Sequence, residues 1–158
     1  MSKETTPIKR SRQLSPLSRD HHEGLLLVWK IRQGLRNGTD INLIADYTKW
    51  FWQKDLENHF REEEEILAPY LNGEPMIKRM FEEHQLIQTR IHDENTVTEE
   101  SLLQLATLVN DHIRFEERQL FPLAEKMITE EDLDAIESQL KRDKKETGVW
   151  ENEFWLKK

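Results

Sequence analysis

His59 and His112 each stand four residues before a glutamate, and the phrases around them nearly repeat: HFREEEEILAP from His59 and HIRFEERQLFP from His112. Successive helical residues turn by about 100°, so a position four residues on lies only about 40° from its histidine. Both side chains can then point at one centre. A carboxylate away from water needs a partner, a hydrogen bond or a metal. The repeat also discriminates within the run of four glutamates. Glu63 and Glu116 share the position four after the histidine. Glu62 is matched by Phe115, and Glu64 and Glu65 rotate toward solvent.

Two further segments supply imidazoles. His84 falls on an apolar stripe with Ile77, Met80, Ile87 and Ile91. His21 lies near the middle of an arc formed by Leu17, Leu25, Val28 and Leu35; His22 is the alternative, because Leu25 and Trp29 follow it at helical spacing. An acidic residue precedes His21, His84 and His112, namely Asp20, Glu83 and Asp111. His92 lies off its stripe and reads as surface. Four imidazoles and two carboxylates suit a pair of iron or manganese ions bridged by the carboxylates. The competing reading is four core histidines bonded to glutamates with no metal. A ligand set without sulfur makes structural zinc less apt. The Glu-x-x-His pattern of ferritin-like sites and the His-Glu-x-x-His pattern of zinc proteases are both absent.

These residues must be positioned by helices. Ser15-Pro16 reads as an N-cap followed by proline in the first turn, opening a helix that runs to Asn37-Gly38. Thr39 or Asp40 caps a long second helix to about Tyr70. Pro75 starts a third, ending near His92, and Thr98 or Ser101 opens a fourth. Thr129 caps a shorter helix to about Arg142. Pro69 and Pro122 should kink or end the second and fourth helices. Trp52, Leu56, His59, Glu63, Ile66 and Tyr70 form one seam; Leu102, Leu105, Val109, His112, Glu116, Leu120 and Leu123 form another. The expected fold is all-α: an up-down-up-down four-helix bundle over residues 14–128. A polar, disordered tail over residues 1–13 precedes it. An extra short helix and a Trp-rich tail over 129–158 follow, packing on the bundle or a partner.

Composition agrees with this and excludes other classes. The 158 residues are 36% hydrophobic and 34% charged, with five Gly and five Pro, which favours long helices over strands and turns. A net charge of -8 argues against nucleic acid as the main partner. The absence of cysteine removes disulfides, thiol catalysis and iron–sulfur ligation. No apolar run suits a membrane span, and MSKETTPIKRSRQ lacks the apolar core of a signal peptide. The protein is expected in the cytoplasm, without nucleic acid or membrane partners.

The segments RDHHEGL, HFREEEE, FEEHQLI and HIRFEERQLFP, in this order, resemble the hemerythrin-like family, the HHE cation-binding domain. The resemblance covers roughly residues 14 to 128. It implies an oxo- or hydroxo-bridged non-haem di-iron centre, with manganese or another divalent cation as alternatives. His21 (or His22), His59, His84 and His112 would be terminal ligands, with Glu63 and Glu116 as bridges. Oxygen carriers of the family place a further histidine one turn after the helix-three ligand, where this chain has Gln88. Gln88 is read as an outer hydrogen-bond donor, or as leaving a coordination position to water or a small ligand. These carriers also place an Asp five residues after the helix-four histidine; here that position is Glu117. The expected function is binding or sensing of oxygen, nitric oxide or iron itself. The alternatives are a di-iron enzyme (peroxidase, ferrous iron oxidase or nitric oxide reductase), an iron storage or repair protein, and a metal-free interaction module. A homodimer or protein partner could use Trp150, Phe154 and Trp155.

Overall fold

The computed structural model describes residues 9–93, 95, 97–140 and 149–156. Five helices follow one another, with no strand among the described residues. Helix α1 is Ser15–Arg36, and α2 covers residues 41–71. Helix α3 is Pro75–Ile91, α4 covers residues 99–127, and α5 is Glu130–Leu140. The first four make the expected bundle. None is long and apolar enough to cross a membrane.

The helix starts follow capping chemistry. The Asp40 side chain accepts from the Asn42 amide at 2.8 Å, which settles the choice against Thr39. Thr98 and Ser101 cap reciprocally: the Thr98 hydroxyl accepts from the Ser101 amide, and the Ser101 hydroxyl accepts from the Thr98 amide, both at 2.9 Å. At α1 the expectation needs correction. Ser15 is the first helical residue and Leu14 holds the cap position without a side-chain bond. The turn before it already serves, since the Ser15 amide reaches the Ser11 carbonyl at 3.1 Å and the Ser11 hydroxyl accepts from the Leu14 amide. Contacts of the bundle therefore extend below residue 14. Arg10 donates to Glu125 at 2.8 Å, and buried Gln13 donates to Glu130 at 2.9 Å. Residues 1–8 of the expected tail lie outside the described residues, as do 141–148.

Two helices are not uniformly α. Helix α2 changes from α (Ile41–Phe51) to a π turn (Trp52–Leu56), back to α (Glu57–Glu62), then to a second π turn (Glu63–Leu67) and a final 3-10 turn (Ala68–Leu71). Helix α4 is α over Glu99–Phe115, π over Glu116–Leu120 and α again over Phe121–Met127. A π turn absorbs one extra residue and shifts the seam that follows. Hence Tyr70 is exposed while Leu67 and Leu71 are buried, and Phe121 and Ala124 replace Leu123 in the core. Each proline follows a π turn by two residues. Pro69 lies in the closing 3-10 turn, as expected. Pro122 neither ends α4 nor breaks it, because the wide turn ahead of it shifts the carbonyls its ring would meet in a regular helix.

The core has two apolar halves. One contains Leu27, Ile31, Phe51, Trp52, Val109 and Phe154; the other contains Leu17, Leu67, Met80, Leu120, Phe121 and Ile136. Phe154 lies against Gly34, where an added Cβ would meet its ring at 2.7 Å. Trp150 and Trp155 pack on the same cluster. Between the halves lies a polar layer crossing all four bundle helices.

Candidate metal centre

That polar layer consists of His21, His59, Glu63, His84, His112 and Glu116, all buried, with both glutamates at 0% exposure. Their ligand atoms fall into two groups sharing the glutamates: His21 with His59, and His84 with His112. Within each group these atoms lie within 4.8 Å of one another. Imidazole Nε2 atoms point inward. That of His21 lies 2.6 Å from Glu116 Oε1, that of His59 3.2 Å from Glu63 Oε1, that of His84 3.1 Å from Glu63 Oε1, and that of His112 3.2 Å from Glu116 Oε2. Yet Nε2 of His59, His84 and His112, both oxygens of Glu63 and Oε2 of Glu116 form no hydrogen bond of proper geometry. Buried polar atoms are rarely left so. Their convergence suits cations held between them, and nitrogen and oxygen donors suit iron or manganese.

The outward Nδ1 atoms are all engaged. His59 Nδ1–H donates to Asp20 at 3.0 Å, His84 to Glu64 at 2.8 Å, His112 to Glu83 at 2.7 Å and His21 to Glu117 at 2.6 Å. Each carboxylate comes from the neighbouring helix, so the contacts close a circuit: α1 to α2, α2 to α3, α3 to α4 and α4 back to α1. Such partners fix ring orientation and leave Nε2 as the donor to a metal. None of these pairings is readable from one helix alone. Asp20 and Glu83 are visible as acids beside histidines, whereas helical angle alone turns Glu64 toward solvent. Asp111, the third such acid, is exposed and is not a member.

The electrostatics of the metal-free layer are consistent. Burial pulls the His59 and His84 pKa values down, but Glu63, Glu116, Asp20 and Glu64 outweigh it and hold both well above the ordinary value. Burial likewise opposes, and Glu116 and Glu117 reverse, the shift at His21; His112 is pushed up to about 9 by Glu116 and Glu83. Glu116 titrates well below the carboxylate range: burial would raise it, and His112, His21 and His59 prevail.

Of the two candidates on α1, His21 is inside and His22 is exposed. Leu25 is also exposed; Gly24, Leu27 and Val28 form the inner face instead. Gln88 requires correction. It is exposed, its backbone carbonyl accepts from His92 Nδ1 at 2.8 Å, and Ile87 takes the inward position. A cavity of about 10 Å³ adjoins His21, His59 and His112, walled by Gly24, Leu56, Phe60, Ile87, Val109 and Ile113. It has room for about one water-sized molecule.

Over residues 13–124 the chain matches the family model described as the Hemerythrin HHE cation binding domain. No curated protein and no solved structure matches it.

Proposed function

The chain belongs to the hemerythrin HHE cation-binding family, and from that premise we propose that it holds two iron ions between α1, α2, α3 and α4 and uses them to bind or sense oxygen, nitric oxide or iron itself. His21 and His59 would serve one ion, His84 and His112 the other, with Glu63 and Glu116 shared. The observation that carries this reading is the asymmetry of the imidazoles: every Nδ1 is tied to a carboxylate, while the Nε2 atoms converge on carboxylate oxygens largely without hydrogen bonds. When bound, the iron pair supplies redox chemistry toward a small ligand. The chain's own part is to orient and to exclude. Asp20, Glu64, Glu83 and Glu117 hold the rings in place, and Leu56, Phe60, Ile87, Val109 and Ile113 keep bulk water out.

The small apolar cavity favours a diatomic ligand over an organic substrate. A catalytic role toward peroxide or nitric oxide on the same residues would show as turnover rather than a stoichiometric change. Metal analysis of the purified protein, with optical spectra before and after exposure to oxygen or nitric oxide, tests the reading. The expected result is two iron ions per chain and a charge-transfer band that responds to the gas. Iron-free protein that gains no band on loading would overturn it in favour of a metal-free bundle.

A further inference from the structure

A line of aromatic rings leads out of the polar layer. Phe60 stacks on His84 with centroids 3.8 Å apart and planes within 7°, and it meets His112 edge-on at 5.6 Å. Trp52 meets Phe60 at 5.6 Å, and His92 meets Trp52 at 5.5 Å. Trp52 is 4% exposed, whereas His92 lies at the surface. Rings in successive contact thus join two candidate ligands to solvent.

Core packing alone does not ask for these rings. The two histidine phrases align Trp52 with Leu105 and Phe60 with Ile113, and both aliphatic residues are buried in the same apolar cluster. The helix geometry differs too. Eight residues of regular helix would separate Trp52 from Phe60 by about 80° around the axis. The π turn Trp52–Leu56, closed by the Glu57 amide on the Trp52 carbonyl, absorbs one residue. The remaining seven bring the two side chains to within roughly 20° of one another. Helix α4 has no π turn at the matching place, between Leu105 and Ile113.

We propose that Trp52 and Phe60 form an electron route between the metal centre and the surface beside His92, with Trp52 as the oxidisable station. The proposal rests on the iron reading above. Indole gives up an electron far more readily than the phenyl or aliphatic side chains around it, and tunnelling decays steeply with distance, so contact between rings matters. One electron leaves the Trp52 indole toward the centre and consumes one of the two oxidising equivalents that a peroxide supplies there on reduction to water. The indole radical cation is then refilled by one electron from a soluble enediol reductant such as ascorbate, arriving at the His92 surface. Within the chain no bond forms or breaks; the O–H proton that the enediol loses on giving up its electron passes to solvent.

The test loads the full chain with iron(II), adds hydrogen peroxide in excess over the two equivalents that the iron(II) pair itself consumes, and freezes samples rapidly for electron paramagnetic resonance. Parallel samples receive ascorbate, and reduction of the centre is followed optically. The expected result is a tryptophan radical in the native chain that ascorbate quenches. It should be lost in Trp52→Phe, persist in Trp29→Phe and be replaced by a tyrosyl signal in Trp52→Tyr. Trp52→Phe keeps a ring in the core, so its iron content and unfolding temperature should stay close to native. An undiminished radical in Trp52→Phe, or iron that oxidises in the native chain with no radical at all, would overturn the route alone. Failure of the native chain to bind iron would overturn the metal reading together with it.

Discussion

His21 and His22 differ by one position and about 100° of helix, and that angle decides which of them can reach the centre. His21→Ala should lose bound iron and the associated optical band, while His22→Ala should keep both; metal analysis of the two variants is the check. The raised histidines also set a pH dependence for the metal-free protein. A histidine whose folded pKa exceeds its unfolded value of 6.5 stabilises the fold fully below that value, and the contribution disappears as pH rises through the folded pKa, about 9 for His112. Glu116 acts in the opposite direction, stabilising above 4.5 and failing only as pH falls through its depressed value. With chelator present, thermal melts should therefore fall on the alkaline side between pH 6.5 and about 9. At this scale the sequence was legible wherever helical angle sufficed. Comparing two phrases singled out Glu63, which the structure buries completely. Angle did not suffice for Gln88, whose inward neighbour is Ile87. Nor did it suffice for Glu64, whose role depends on a histidine one helix away.

At the scale of elements, order and caps were readable because they are local chemistry: Asp40, Thr98, Ser101 and the prolines each act within a turn. The π turns were not. They leave the apolar pattern nearly intact and shift it by one residue, which is why Tyr70 and Leu123 were expected in positions that Leu71 and Ala124 occupy. Helices α1 and α4 approach closely at Gly24, where an added Cβ would meet Ile113 Cδ1 at 2.7 Å. Gly24→Val should overpack this contact, destabilise the chain by about 1–3 kcal/mol in urea unfolding and narrow the cavity that Gly24 and Ile113 both line.

For the whole molecule, the segment 149–156 fastens one end of the bundle. Phe154 is buried against Gly34, its carbonyl accepts from Asn37 at 3.1 Å, and Tyr47 packs edge-on against both Phe154 and Trp150. Phe154→Ala should lower stability by about 3–5 kcal/mol in the same unfolding assay without changing the candidate metal ligands. The circuit of carboxylates around the imidazoles has a consequence for charge balance. Asp20, Glu64, Glu83 and Glu117 join Glu63 and Glu116, giving six formal negative charges around four rings. Four imidazolium ions, together with Arg10 on Glu117 at 3.2 Å and Arg79 on Glu83 at 2.8 Å, balance all six. Two divalent cations beside four neutral rings would leave the same balance. On the iron reading, loading would be an electroneutral exchange, in which the folded chain trades protons for metal at constant local charge. Titrating iron(II) into the anaerobic, weakly buffered protein at neutral pH should acidify the solution.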